Sequence, residues 1–194
     1  MAKKCNPSVN SGSLLWCAGQ TAMPGIKKRV YYIPKSDIVQ WPTMPKPDES
    51  VSNPAALATY IGNFTLAADK VWHVIEVNQM KSPIASEPEG EFPYKVYKDT
   101  GTFFYDGAEA EVSAFARLSI NDDYVYIFED MSGSRRVVGN ETYKTETSTS
   151  IALGQQGGSE KGATIVAACS TPYPLPFYPG EIETEDGTIG GVAP

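Results

Sequence analysis

The stretch N-D-D-Y-V-Y-I-F-E-D-M-S-G-S-R-R-V-V, Asn121 to Val138, constrains the fold more than any other part of the chain. Tyr124, Tyr126 and Phe128 alternate with Val125 and Ile127, so a strand here carries apolar side chains on both faces. Asp130-Met131-Ser132-Gly133 has the chemistry of a short hairpin loop with Gly in the left-handed conformation, and Arg135 to Val138 is the return strand. A strand of this kind has two solutions. It is central in a sandwich covered on both sides, or it belongs to a sheet that meets another molecule.

The rest of the composition agrees with β structure. The chain has 194 residues, enough for one domain with a real core, and its 17 Gly, 15 Pro and 11 Tyr favour turns and strands. A net charge of −7 argues against a nucleic-acid groove, which needs clustered Lys and Arg. The charge is unevenly placed. Residues 1 to 36 hold Lys3, Lys4, Lys27, Lys28, Arg29 and Lys35 with no acid, whereas residues 180 to 194 hold Glu181, Glu183, Glu185 and Asp186 with no base. These ends are either solvated or meet the ends of other copies. Cys5, Cys17 and Cys169 fit neither a disulfide framework nor a zinc site. The start lacks the apolar run of a signal peptide and no segment approaches a membrane span, so a chain made in a cytosol is expected.

Along the chain, residues 1–24 read as an amino-terminal arm whose only apolar patch is Leu14-Leu15-Trp16. Residues 25–182 read as the folded domain, with a Pro-rich loop at 34–57, and residues 183–194 as an acidic tail. Strands are expected at Tyr31 to Ile33, in A-T-Y-I-G-N-F-T-L from Ala58, and in K-V-W-H-V-I-E-V from Lys70, where Ile75 and Val77 face away from Trp72 and Val74. Extended chain bent at Asp99 to Gly101 follows an acidic loop, S-E-P-E-G-E. Residues 107–119 predict the one substantial helix, with Asp106 as N-cap, Glu109 completing a capping box, and Ala108, Val112, Phe115 and Ala116 on one face. Later strands are expected at Thr142 to Ile151 and Lys161 to Thr171, and the Pro-rich segment after them lies extended over the surface.

No chemistry-bearing constellation emerges. His73 is the single histidine and reads as a half-buried strand residue, and no Ser or Cys has a nucleophile-elbow context. Glu87, Glu89 and Glu91 could supply a carboxylate pair, but at a spacing of two they read more simply as an exposed acidic patch. E-T-E-D-G-T, from Glu183, is half a calcium loop without the other oxygen ligands. Tyr94, Tyr97, Phe103, Phe104 and Tyr105 could form a sugar-stacking platform, though aromatic strand residues usually fill cores. No enzyme, cofactor or metal is expected.

The order of parts D-G-A-E-A-E-V-S-A-F-A-R-L, N-D-D-Y-V-Y-I-F-E-D-M-S-G-S-R-R-V-V-G-N-E, T-S-T-S-I-A-L-G-Q-Q-G-G-S-E-K-G-A-T-I-V-A-A-C-S-T and P-F-Y-P-G-E-I resembles the tail-tube proteins of tailed phages, in the form carried by phages and prophages of Bacteroidetes. The likeness covers roughly residues 59 to 182 and leaves residues 34–57 without a counterpart. It implies a mainly β fold, a β-sandwich or barrel with one flanking helix and extended termini. It also implies a virion protein, assembled in the host cytoplasm as stacked homohexameric rings that join other tail proteins and let DNA pass without specific binding or any membrane. On this reading Tyr124, Tyr126 and Phe128 belong to a sheet shared between subunits, and Glu87, Glu89 and Glu91 face the lumen or the next ring. Lys3 and Lys4 with Glu181, Glu183, Glu185 and Asp186 would bridge rings. Two alternatives stay open, another virion ring protein such as a tail terminator or connector, and a carbohydrate-binding β-sandwich.

Overall fold

The computed structural model describes residues 14, 21–47, 51 and 53–190. The strands in chain order are β1 (Ile26–Pro34), β2 (Ile38–Gln40), β3 (Thr65–Leu66), β4 (His73–Glu76), β5 (Ile84–Glu89) and β6 (Val96–Tyr105). The helix α1 (Ala110–Ser119) follows, then β7 (Tyr124–Asp130), β8 (Arg135–Val138), β9 (Thr145–Ala152), β10 (Gly162–Thr171), β11 (Ile182–Thr184) and β12 (Gly187–Ile189). They form two antiparallel four-stranded sheets, β4-β1-β7-β8 and β5-β6-β10-β9, and two small pairs, β2-β3 and β11-β12. The chain is therefore mainly β with one α-helix, as its composition implies, and neither large sheet closes into a barrel.

Alternation along β7 builds the molecule in three layers. Tyr126 and Phe128, with Val30 of β1 and Val138 of β8, pack against Phe103, Ile165, Ala167 and Cys169 on the inner face of the second sheet. Val125 and Ile127, with Tyr31, Ile33 and Val137, turn the other way. There they meet Ile38, Tyr60, Phe64, Trp72, Tyr178 and Ile182, contributed by irregular chain and by the small pairs. Each large side chain so buried stabilises the fold by about 1.5–3 kcal/mol. The polar tips are satisfied as well. Tyr126 and Thr147 share a hydroxyl hydrogen bond of 2.9 Å, and the Tyr178 hydroxyl donates to the Glu181 carbonyl at 2.8 Å.

This layering corrects the expectation for Tyr124, Tyr126 and Phe128. All three are buried by the chain itself, and β7 lies between β1 and β8 with no free edge to share. The first solution, a central strand covered on both sides, is the one the fold adopts. The Pro-rich stretch after β1 supplies part of that cover, since Ile38 is buried and the Trp41 ring lies edge-on to Phe64 at 5.2 Å.

Several local expectations differ from the structure, and of the strand expected from Ala58 only Thr65–Leu66 forms. The chain runs straight through Asp99 and Gly101 as the ten-residue strand β6. A Cβ at Gly101 would sit 2.7 Å from the Phe103 ring, so glycine there admits the ring and makes no bend. S-E-P-E-G-E is strand through Glu89, not loop. The helix starts at Ala110 with Glu109 as its N-cap, because the Asp106 carboxylate accepts from Asn78 Nδ2 at 2.8 Å. Residues 183–189, expected as tail, continue β11 and make β12.

Candidate functional site

Strand edges are where a β fold meets other chains, and the edges of the two sheets differ here. On the first, the β8 edge is covered by residues 175–178: Val137 N–H donates to the Pro176 carbonyl at 3.1 Å and Tyr178 N–H to the Arg135 carbonyl at 2.8 Å. The Arg136 guanidinium lies 3.9 Å over the Phe177 ring and reaches the Leu175 carbonyl at 3.2 Å, which pins this strap. On the other side, Trp72, just before β4, bridges Thr184 and its backbone N–H donates to the Glu183 carbonyl at 2.8 Å, while along His73–Glu76 no strand or bridge lies beyond β4 among the described residues. On the second sheet α1 packs beside β9. Among the described residues no strand or bridge lies beyond β5 or beyond β9.

The register shows what that sheet presents. Thr102 N–H donates to the Pro83 carbonyl at 2.9 Å, so by antiparallel alternation the backbone groups of Ile84, Ser86 and Pro88 point outward from β5. Pro88 lacks an N–H and blunts one of these three positions, which is where an edge tolerates proline. On β9, Thr145, Thr147 and Thr149 turn inward, while Glu146, Ser148 and Ser150 turn outward and are exposed.

The outward face therefore reads, across the strands, Glu87 and Glu89, then Lys98, Thr100 and Thr102, then Thr164, Val166 and Ala168, then Glu146, Ser148 and Ser150. It carries mostly small hydroxyl and methyl side chains, with Val96 and Phe104 of β6 among them, and is acidic at both margins. Glu87 stands opposite Lys98 in register, whereas Glu89 stands opposite Val96 and Glu146 opposite Ala168. At one end Lys81 Nζ lies 4.7 Å over the Phe104 ring and 2.5 Å from Glu160.

Of the residues singled out from the sequence, Glu87 and Glu89 lie on this face and Glu91 lies beyond it, in the turn where Tyr94 N–H donates to its carbonyl at 2.7 Å. Glu181, Glu183, Glu185 and Asp186 are exposed around the β11-β12 hairpin, away from this sheet, and Lys3 and Lys4 lie outside the described residues. His73 is exposed, 3.8 Å from Glu185, rather than half-buried. The aromatic set does not form a platform, because Phe103 is in the core while Tyr94 projects into solvent. Sequence reasoning missed Glu146, Ser148 and Ser150. The signal was present in T-E-T-S-T-S, whose alternation places every Thr on one face.

No group of three His, Cys, Asp or Glu among the described residues could hold a metal ion. No family model, curated protein or solved structure matches the chain.

Proposed function

We propose that the protein is a structural subunit that assembles edge to edge into rings, and that these rings stack as the tube of a phage tail through which DNA passes. The observation that carries the reading is the contrast between covered and open edges. Exposed edges invite pairing with other chains: the fold pairs the β8 edge of the first sheet with residues 175–178, whereas among the described residues β5 and β9 of the second sheet carry no strand or bridge beyond them, and α1 packs beside β9. Strand parity suits ring closure. In β5-β6-β10-β9 every neighbour is antiparallel, so β9 runs opposite to β5, and β9 of one copy can pair antiparallel with β5 of the next at every junction. Six copies, the number the resemblance implies, would join six four-stranded sheets into a closed wall. At about 4.8 Å per strand that wall is about 37 Å across before strand tilt widens it, which leaves room for a nucleic-acid duplex.

The chemistry of the outward face supports the same reading. A duplex must slide along this wall, where carboxylates outnumber the ammonium groups of Lys98 and the Glu160-paired Lys81, so phosphates meet a net negative face. The assembly is tested by negative-stain microscopy of purified protein over a range of concentration and salt. Rings stacked into hollow tubes are the expected result. Rings that never stack point to a terminator or connector, and single particles under every condition defeat the proposal.

A further inference from the structure

A cleft of about 710 Å³ opens between the two sheets, on the side where β1 begins. Ile26, Ile84, Phe128 and Leu175 give it apolar walls, and Met23 and Met80 stand at its rim. The rim is wet. Met80 is 96% exposed and Met23 62%, an arrangement left for a partner, since flexible thioethers adapt to the shape of what covers them. The walls also hold a polar pair, Arg136 Nε lying 3.6 Å from Asp130 Oδ2.

We propose that this cleft receives the Leu14-Leu15-Trp16 segment of a second copy. The proposal rests on the self-assembly reading and adds a contact that the open sheet edges do not make. Leu14-Leu15-Trp16 is the only apolar run in the first 24 residues, and Leu14 is 97% exposed, so its own chain does not cover it. The described chain before β1 reaches the rim of the cleft at Met23. Trp16 precedes Met23 by seven residues, and a chain at about 3.4 Å per residue spans about 24 Å, enough to reach an adjacent copy. The cleft lies within the range of about 300–1,000 Å³ in which proteins seat groups of this size. A buried indole also needs an acceptor for its N–H, and the Asp130 carboxylate in the wall supplies one.

Cross-linking of the full chain tests this. Cys17 neighbours Trp16, Cys169 is buried, and Cys5 can be removed, so Met80→Cys in a Cys5→Ser background places one new thiol at the rim. A short bis-maleimide should then join Cys17 of one copy to the rim of the next and give a ladder of dimers and larger species. Adding Cys17→Ser should abolish the ladder, and adding Trp16→Ala should reduce it at least tenfold. Internally linked monomers alone would mean that the arm returns to its own cleft, and the proposal fails. A ladder insensitive to Trp16→Ala would reduce it to random collision, which also overturns it. Microscopy of the same samples separates the two readings: rings without a ladder remove the arm contact and keep the assembly, and a ladder without rings does the reverse.

Discussion

Asp99 sits on β6 with its side chain turned into the core, 1% exposed, where Ser86 Oγ and Leu175 N–H donate to its two oxygens. Burial pushes its carboxyl up to about 6 from an ordinary 3.8, against those two hydrogen bonds, which favour the charged form. The sign follows from linkage. Below about pH 4 the group is neutral in both folded and unfolded chains and costs nothing. Between pH 4 and 6 the unfolded chain ionises first, and above 6 the fold carries the whole penalty, about 3 kcal/mol for two pH units. Asp99→Asn, which keeps an acceptor for Leu175 N–H, should therefore raise the urea midpoint at pH 7.5 by an amount equivalent to about 1–3 kcal/mol and change it little at pH 4. An equal difference at both values would show that the carboxylate charge is not the cause. The side-chain oxygen of Asp99 secures the strap: Leu175 is held at φ +35°, a conformation rare for leucine, by Asp99 at its N–H and Arg136 at its carbonyl. None of this was legible in K-D-T-G-T, where Asp and Gly weigh toward a bend. Their roles depend on Phe103, Ser86 and Leu175, which local pattern does not bring together.

Among the elements, the β11-β12 hairpin departs most from its expected role. Ile182 and Thr184 are buried, the Glu183 carbonyl takes the Trp72 N–H, and the buried Arg135 guanidinium donates to the carbonyls of Gly180, at 2.7 Å, and Gly190. Removing residues 183–194 should thus cost the fold about 3–5 kcal/mol, from the exposure of Trp72 and from a buried guanidinium left short of an acceptor. The readout is a thermal transition that falls by 10 °C or more and a Trp emission shifted to the red. An unchanged transition would return these residues to the status of a solvated tail. The hairpin was legible, since Asp186-Gly187 between Ile182 and Ile189 is a turn signal and Gly187 adopts φ +118°. Four acids in six residues draw attention to charge instead. Strands β7, β8 and β10 were read closely because their apolar runs outlast any local exception. The segments that cover the first sheet were not, because Ile38, Tyr60, Phe64 and Tyr178 come from short stretches, of which only β2 is strand, too brief to set a lasting apolar period.

At the scale of the molecule, the two-faced strand shows how far sequence reaches: its need for cover on both sides was plain, while the identity of the cover depended on chain far away in sequence. The same distinction governs the charge. A net −7 says only that the protein is acidic, whereas the fold sets Glu87, Glu89 and Glu146 on one sheet face with Lys98 as its opposing charge. In the proposed ring each copy would offer the bore Glu87, Glu89, Glu146 and Lys98, beside the self-neutralising Lys81–Glu160 pair at one end. Replacing the three Glu by Lys turns −2 per copy into +4 while the whole chain moves only from −7 to −1. These side chains are exposed, so the subunit should stay folded, with about 0.2–1 kcal/mol lost where a Lys at 87 faces Lys98. Tubes of this variant should retain linear duplex DNA on sedimentation in low salt and release it as salt rises, and unaltered tubes should retain none. The control is Glu181, Glu183 and Glu185 replaced together by Lys, a change of equal charge around the β11-β12 hairpin and off the open-edged sheet. If the bore lies where the open-edged sheet puts it, the two variants part: the first holds DNA inside the tube, protected from nuclease, and the second holds it, if at all, in a form that nuclease digests. Equal retention and equal digestion in both would mean that the acidic face does not line the channel.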